Sequence, residues 1–266
     1  TCITAYDYTS AALVGRSGID LILVGDSASM VVLGYQTTIP IGIDEMILFS
    51  KAVTRGNKGS LIVGDMPFMS YQASDEDAVR NGGKFVKEGG VDAVKIEGGI
   101  KMKSRVEALT NAKIPVMGHV GLMPQTSPLW GGYRVQGRTD KTAEEIIKDA
   151  IAIEEAGAFS VVLEMVTSEV AKLITEKLSI PTIGIGSGPD CDGQIVVFHD
   201  ILGLYDKFTP KFIKKYANLG EDIQKSLESY RDEVINGKFP AEENTFHMKD
   251  RKTNPPLKRR IIKNTR

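Results

Sequence analysis

The heptapeptide AVKIEGG, residues 93–99, has the small and β-branched residues of a buried strand but also contains two charged ones. Lys95 and Glu97 are two positions apart, so their side chains lie on the same face of an extended chain. Burying an unpaired charge costs free energy, so either these two side chains have polar partners or the protein uses them for its function. The stretch therefore predicts a strand that carries polar groups into a site.

Seven other short apolar runs share this form and end in Gly, Asp, Glu or His. They are TCITAYD (1–7), LILVGDS (21–27), LIVGDM (61–66), PVMGHVG (115–121), SVVLEMV (160–166), PTIGIGSG (181–188) and QIVVFHD (194–200). Longer segments with helical periodicity separate the runs; one of them begins at Ser74, with Asp77 three residues on, like a capping box. Eight strand–helix units in series predict a single-domain (β/α)8 TIM barrel. A doubly wound open sheet, which usually has fewer strands, is the alternative.

The barrel domain is predicted to cover residues 1–248, with one or two closing helices within residues 211–237. Residues 249–266 hold eight Lys or Arg against one Asp, whereas the first 248 residues carry 25 basic and 33 acidic residues. We interpret this segment as a disordered tail, because no aromatic residue interleaves its charges for base stacking. The alternative is an arm that binds nucleic acid or an anionic membrane.

Composition narrows the class of protein. The 266 residues are 42% hydrophobic and 25% charged, as in ordinary globular chains. Cys2 and Cys191 are the only cysteines, which excludes a disulfide framework and favours a reducing, cytoplasmic location. No apolar run is long enough to span a membrane. Because strand-like sequence begins directly at Thr1, a leader or first helix is expected to be missing.

Polar residues at the strand ends are the candidate site, since TIM barrels take their catalytic groups from there. They are Asp26, Ser27, Asp65, Lys95, Glu97, His119 and Glu164. Asp26, Asp65 and Glu97 follow consecutive strands and are expected to converge. Carboxylates in that number suit Mg²⁺, bound by Glu97 directly or through water. Lys95 would then meet an anionic substrate.

This set of residues suits enolate chemistry on a 2-oxoacid. Mg²⁺ chelated by the carboxylate and keto oxygens would acidify the adjacent C–H. Glu164, strengthened as a base by its apolar neighbours, would take that proton, and Lys95 would stabilise the enolate oxygen. The residues alone do not identify the electrophile.

Each candidate also has a plainer interpretation. Asp26 or Asp65 taken singly is typical of a helix N-cap. Lys95 and Glu97 could simply pair, although a dry ion pair stabilises a fold weakly. His119 alone is typical of a hydrogen-bonded core histidine, and Glu164 could hold its neighbours by hydrogen bonds. The GIGSG loop, residues 184–188, indicates close backbone approach to a substrate.

Nine blocks of the sequence, in order from Thr4 to about His247, resemble ketopantoate hydroxymethyltransferase. They are TAYDYTSA, LVGDS, VGDMPFMSYQ, VKIEGG, MGHVGLMPQ, GGYRVQGR, VLEMV, IPTIGIGSG and CDGQIVVFHD. The resemblance implies a barrel of the phosphoenolpyruvate/pyruvate superfamily. It also implies transfer of a hydroxymethyl group from 5,10-methylenetetrahydrofolate to α-ketoisovalerate (3-methyl-2-oxobutanoate), which gives ketopantoate for pantothenate and coenzyme A synthesis.

The resemblance also assigns roles to the candidate residues. The metal-linked acids fall on Asp26, Asp65 and Glu97, the proton acceptor on Glu164, and His119 lies close to the substrate. The ketoacid contacts fall on Asp26, Ser27, Asp65 and Lys95. The implied partners are the 2-oxoacid and the folate, with no nucleic acid or membrane, in a homo-oligomer that is a decamer in the family.

Departures from the family pattern are modest and touch no candidate ligand. Ala28 and Ser29 stand in GDSASM where relatives read GDSLGM, and Ser187 stands in GIGSG where they read GIGAG. Met123 replaces a threonine in GLMPQ, and Phe49 replaces a common histidine.

Two other functions remain as alternatives. An isocitrate-lyase-like enzyme that breaks C–C bonds on the same barrel would have a cysteine in a KKCGH-type loop, and neither cysteine sits in one. A nucleic-acid-binding protein led by the basic tail would bind in a salt-sensitive way.

Overall fold

The computed structural model of the chain describes residues 1–126, 131–207 and 210–247. The chain forms two compact units, one from Thr1 to Asn218 and one that begins at Leu219. The basic segment 249–266 lies outside the described residues. Its predicted disorder and the predicted domain boundary at residue 248 therefore stay predictions.

A closed barrel of eight parallel strands, paired in sequence order, forms the first unit. The strands are β1 (Cys2–Thr4), β2 (Leu21–Val24), β3 (Leu61–Asp65), β4 (Ala93–Lys95), β5 (Val116–Gly121), β6 (Ser160–Glu164), β7 (Thr182–Ile185) and β8 (Gly193–Val196). Cys2 pairs with Leu21 of β2 on one side and with Ile195 of β8 on the other, which closes the ring. The predicted TIM barrel is confirmed, and the open-sheet alternative is wrong.

Helices connect the strands around the outside of the barrel. They are α1 (Tyr8–Arg16), α2 (Ala28–Val31), α3 (Ile43–Gly56), α4 (Asp75–Lys84), α5 (Lys103–Asn111), α6 (Asp140–Glu155), α7 (Ser168–Lys177) and α8 (Phe198–Ile201). The predicted start at Ser74 is confirmed, because its side chain accepts a hydrogen bond from the Asp77 amide over 3.1 Å. A π-helical turn, Phe85–Gly89, extends α4, and a 3₁₀ turn, Ile100–Met102, precedes α5.

The apolar core has two layers. A small cluster fills the barrel interior with side chains from every strand: Cys2, Leu21, Leu23, Val63, Ala93, Met117, Val162, Ile183 and Ile195. A larger cluster lies between the strands and the helices. In this outer layer a Cβ at Gly64 would lie 2.5 Å from the Phe85 ring, so only glycine lets the π-helical turn after α4 pack this close to β3.

All strands except β5 end earlier than the sequence predicts. β4 ends at Lys95, so Glu97 lies just beyond the ladder and not within it. β2 ends at Val24, which places Asp26 and Ser27 in the turn into α2. β6 ends at Glu164, and Met165 has a φ of 47°, a left-handed conformation that ends the strand. The polar residues therefore lie at the carboxyl ends of the strands and on the turns that follow them, which together form the mouth of the barrel.

The second unit contains one helix in the residues described, α9 (Leu219–Ile235), followed by a 3₁₀ turn, Glu242–Asn244. Of the one or two closing helices predicted within residues 211–237, one is present, and it begins at Leu219. None of the helices in the described ranges is both long enough and apolar enough to cross a membrane.

Candidate active site

A cavity of about 650 Å³ opens at the carboxyl ends of the strands. All seven residues singled out from the sequence line it: Asp26, Ser27, Asp65, Lys95, Glu97, His119 and Glu164. Tyr133, Val135, Tyr205 and Phe212 are among the side chains of its mostly apolar remainder. The fold thus brings five separate segments of the chain to one place, although only their position at the ends of strands indicated this in the sequence.

Lys95 is the buried cation of this site, with 3% of its surface exposed. Its Nζ lies 2.7 Å from Asp65 Oδ1 and 3.7 Å from Glu97 Oε1. Lys95 and Glu97 do pair, as the plainer interpretation expects, but Lys95 lies closer to Asp65, so the two residues do not simply neutralise each other. Burial alone would lower the pKa of Lys95, but the charges of Asp65, Glu97 and Asp26 outweigh that effect and raise it, so the side chain stays an ammonium.

Asp26 and Asp65 are joined through the backbone. The Asp26 amide donates to Asp65 Oδ2 over 3.1 Å, so Asp65 accepts from Lys95 with one oxygen and from Asp26 with the other. Neither carboxylate is the N-cap of a described helix, since that position belongs to Ser27 in α2 and to Ser74 in α4. Asp26 Oδ2 is buried and has no hydrogen-bond partner among the described residues.

Negative charge is in excess around Lys95. Four carboxyl groups, Asp26, Asp65, Glu97 and Glu164, share one ammonium. Burial, and then the neighbouring Asp65 charge, raises the pKa of Asp26 to about 7. Burial also raises the pKa of Glu97 well above its usual value. The excess of negative charge therefore favours either protonation of these carboxyl groups or the binding of a cation.

His119 stands between two of these carboxyl groups. Its Nδ1 lies 3.6 Å from Glu97 Oε1, and its Nε2 lies 3.4 Å from Glu164 Oε2. Neither ring nitrogen makes a hydrogen bond within the described residues, so His119 is not the hydrogen-bonded core histidine of the plainer interpretation. Burial, and then the Lys95 charge, lowers its pKa well below the usual value, which keeps the imidazole neutral.

Glu164 ends β6 with its carboxylate in the cavity. Burial raises its pKa to about 8, so it holds a proton more strongly than an exposed glutamate does. Its backbone is fixed on both sides. The Leu122 amide donates to the Glu164 carbonyl over 2.8 Å, and Ser187 Oγ donates to the Leu163 carbonyl over 2.7 Å and accepts from the Val166 amide over 3.0 Å.

Several buried polar residues of the site were missed in the sequence. Tyr6 has its hydroxyl 2.8 Å from Ser27 Oγ, and Tyr71 and Gln125 form a hydrogen-bonded pair beside Glu97. The sequence signal for them is a polar residue near the end of a predicted strand, as in TAYD, or shortly after one, as in SYQ and GLMPQ.

A metal ion bound in this cavity would need further ligands, such as water or substrate oxygens, besides the side chains already in place. No group of three or more His, Cys, Asp or Glu side chains in the described ranges is arranged to hold a metal ion by itself. Asp26 Oδ2 and Glu97 Oε1 are nevertheless buried oxygens that no described group contacts with a hydrogen bond. Mg²⁺ commonly takes one or two carboxylates and completes its shell with water and substrate oxygens, so the donors present fit Mg²⁺.

The cysteines lie away from this cavity. Cys2 is buried in β1, and Cys191 lies in the β7–β8 connection beside a second, separate hollow. Neither is among the residues that line the main cavity. The arrangement therefore lacks the cysteine that an isocitrate-lyase-like enzyme would use.

Comparisons with known proteins agree with this geometry. The family model described as ketopantoate hydroxymethyltransferase matches residues 1–242. Proteins named 3-methyl-2-oxobutanoate hydroxymethyltransferase from Moorella thermoacetica and Nitrosopumilus maritimus are each 57% identical over 246 residues, which is 92% of this chain and 91% and 88% of theirs.

Solved structures give the fold alone. A phosphonopyruvate hydrolase superposes with a TM-score of 0.60 at 11% identity, over 98% of this chain and 88% of its own. A phosphoenolpyruvate phosphomutase from Streptomyces platensis subsp. rosaceus superposes with a TM-score of 0.59 at 15% identity, over 93% and 86%. Both likenesses agree with the barrel found here.

Proposed function

The chain belongs to the ketopantoate hydroxymethyltransferase family and is an enzyme of that family, and from this premise we propose its full reaction. The enzyme takes the one-carbon unit of 5,10-methylenetetrahydrofolate and adds it as a hydroxymethyl group to C3 of α-ketoisovalerate. Mg²⁺ is the cofactor. The product, ketopantoate, feeds pantothenate and coenzyme A synthesis.

One observation carries this proposal. A buried ammonium, Lys95, and a carboxyl group with a raised pKa, Glu164, line the same cavity as three further carboxyl groups. An enolate-forming enzyme needs a base for the C–H and a positive charge for the oxygen that becomes negative. The cavity supplies both, and its apolar remainder leaves room for a second substrate.

Asp26, Asp65 and Glu97 would hold Mg²⁺. The unpartnered oxygens of Asp26 and Glu97 support this assignment, and so does the excess of carboxyl groups over ammonium groups around them. When bound, the ion would polarise the 2-oxo group and so acidify C3–H. A divalent cation would also replace the protons that the raised pKa values of Asp26 and Glu97 indicate.

Glu164 removes the C3 proton in this proposal. Its apolar surroundings make the carboxylate a stronger base than it would be in water. His119 Nε2 lies 3.4 Å from Glu164 Oε2, and its lowered pKa keeps the imidazole neutral. His119 therefore lies beside the carboxylate without adding a positive charge. Lys95 stabilises the negative charge that develops on the enolate oxygen.

The C–C bond then forms between C3 and the one-carbon unit. The carbon of the one-carbon unit starts with two bonds to folate nitrogens, and both bonds break with their electrons going to nitrogen. Water forms the new carbon–oxygen bond in place of one, and the enolate electron pair forms the bond to C3 in place of the other. One proton from water and the proton taken from C3 complete the two N–H groups of the folate. Tetrahydrofolate is the second product. Tyr133, Val135 and Phe212 form an apolar part of the cavity wall.

An exchange experiment in D₂O tests the proposal. The protein is incubated with Mg²⁺ and α-ketoisovalerate, with and without the folate, and C3 is followed by proton NMR. We expect C3 deuteration without folate and ketopantoate formation with it. A protein that binds the ketoacid but exchanges no C3 proton would contradict the proposal.

A further inference from the structure

Gln125 is a fully buried polar residue that does not line the cavity. It lies in the connection that follows β5, and none of its surface is exposed. Its Nε2 donates to the Met66 carbonyl, at the end of β3, over 2.9 Å. Because a carbonyl oxygen only accepts hydrogen bonds, the side-chain atom that faces it must be the nitrogen Nε2, and the other end of the Gln125 side-chain amide is the oxygen Oε1.

The other end of the Gln125 amide is held by Tyr71. The Tyr71 hydroxyl donates to Gln125 Oε1 over 2.8 Å and accepts from the Glu97 backbone amide over 2.9 Å. Tyr71 is also fully buried. The two side chains thus join the end of β3, the residues that follow β4 and the connection after β5.

The backbone of Gln125 reaches the Glu97 carboxylate itself. The Gln125 amide donates to Glu97 Oε2 over 3.1 Å. Glu97 Oε1 has no hydrogen-bond partner among the described residues and faces Lys95 and His119 at 3.7 Å and 3.6 Å. One oxygen is therefore held and the other is directed into the site.

We infer that Gln125 is a positioning residue that fixes the Glu97 carboxylate, with Tyr71 as its second anchor. The inference rests on the proposed function in that Glu97 is taken to face Mg²⁺. Without the side-chain hydrogen bonds of Gln125, its backbone amide no longer has a fixed place, and Glu97 Oε2 loses its donor. Partners that orient a metal-binding carboxylate typically change metal affinity or activity ~10–100-fold when removed.

The test uses near-isosteric variants. Gln125→Met keeps the backbone amide and the side-chain volume but removes the side-chain hydrogen bonds to Met66 and Tyr71 and a longer one, over 3.3 Å, that Gln125 Oε1 accepts from Gln72 Nε2. Tyr71→Phe removes only the hydroxyl. Thr54→Val is the matched control, because Thr54 Oγ1 also makes hydrogen bonds to backbone carbonyls, those of Ser50 and Gly89 at 2.8 Å and 2.9 Å, which are partly buried and lie on the outer layer of the barrel.

The readout for the inference is the affinity for Mg²⁺ alone, measured by calorimetry together with the thermal midpoint. We expect Gln125→Met to weaken Mg²⁺ binding ~10–100-fold. We expect Tyr71→Phe to weaken it ~2–10-fold, with less than a multiplicative effect when the two are combined, because both act through shared bonds. Thr54→Val should lower only the thermal midpoint.

Two results would overturn the inference. One is a Gln125→Met protein that binds Mg²⁺ as the wild type does while its thermal midpoint falls like that of Thr54→Val. The other is a combined variant whose effects multiply. If Gln125→Met does not fold, wild-type Mg²⁺ affinity in Tyr71→Phe overturns the inference equally. Absence of C3 exchange in the wild-type protein would contradict the proposed function instead, so the two failures are distinguishable.

Discussion

The Lys95 ammonium is paired with Asp65 across 2.7 Å, although Glu97 is its neighbour two positions along the chain and lies 3.7 Å away. A buried pair of this kind adds little stability against an apolar alternative, so its presence at a cavity needs another reason. The pairing fixes the ammonium within the cavity and leaves Glu97 Oε1 without a hydrogen bond among the described groups. The pair therefore contributes more to the arrangement of the site than to the stability of the fold.

The first prediction concerns Asp65. Asp65→Asn keeps the shape but removes the charge that holds Lys95 and, in the proposal, Mg²⁺. We expect Mg²⁺-dependent binding of α-ketoisovalerate to weaken ~10–100-fold, measured by calorimetry. Asp92→Asn is the matched control, since Asp92 accepts from the Ile62 amide over 2.8 Å at the opposite end of the same strand pair. Unchanged ketoacid affinity in the Asp65 variant would rule out its role.

Lys95→Met tests the positive charge. The variant keeps most of the stem, so kcat/KM should fall on the order of 10²-fold or more, as for other lost electrostatic donors. Lys103→Met, which removes an exposed lysine 2.8 Å from Glu155, should leave kcat/KM unchanged. A Lys95 variant that loses thermal stability but keeps its kcat/KM would show that the residue is structural only.

The pH dependence of stability tests the protonation of Glu164. Its pKa rises from 4.5 to about 8 on folding, so the folded protein binds a proton more tightly than the unfolded chain does. The stability from this group is fully present below pH 4.5 and is lost as the pH rises through about 8.

Chemical denaturation of the metal-free wild type and of Glu164→Gln across this window measures the difference. We expect the wild type to lose stability relative to the variant as the pH rises. Parallel curves would mean that Glu164 keeps an ordinary pKa in the folded protein.

The barrel could be predicted from the sequence because each strand is a local apolar run and the alternation with helical segments is regular. The strand ends could not. Nothing in AVKIEGG or SVVLEMV signals that the ladder stops at Lys95 or that Met165 turns left-handed, since tertiary hydrogen bonds such as that from the Met165 amide to the Ile185 carbonyl decide it. The start of α9 at Leu219 was likewise not evident, because apolar residues such as Phe212 and Ile213 precede it as well as recurring within it.

The candidate site could be predicted by position, because residues at strand ends in a barrel must meet. The contacts between these residues could not be assigned from the sequence. Asp65, 30 positions from Lys95, lies closer to the Lys95 ammonium than Glu97 does. Gln125 and Tyr71 escaped notice because their bonds join residues 26 to 59 positions apart. The oligomeric state, the location in the cell and the role of residues 249–266 stay predictions.

Glu164→Gln tests the central claim most directly, since it keeps size and most hydrogen bonding but removes basicity. The measurement is folate-independent exchange of the C3 proton of α-ketoisovalerate in D₂O with Mg²⁺, followed by proton NMR, with ketoacid binding checked by calorimetry. We predict that the variant binds the ketoacid and exchanges C3 ~10²-fold or more slowly than the wild type. Exchange at the wild-type rate would contradict the account and place the base elsewhere, with His119 the next candidate.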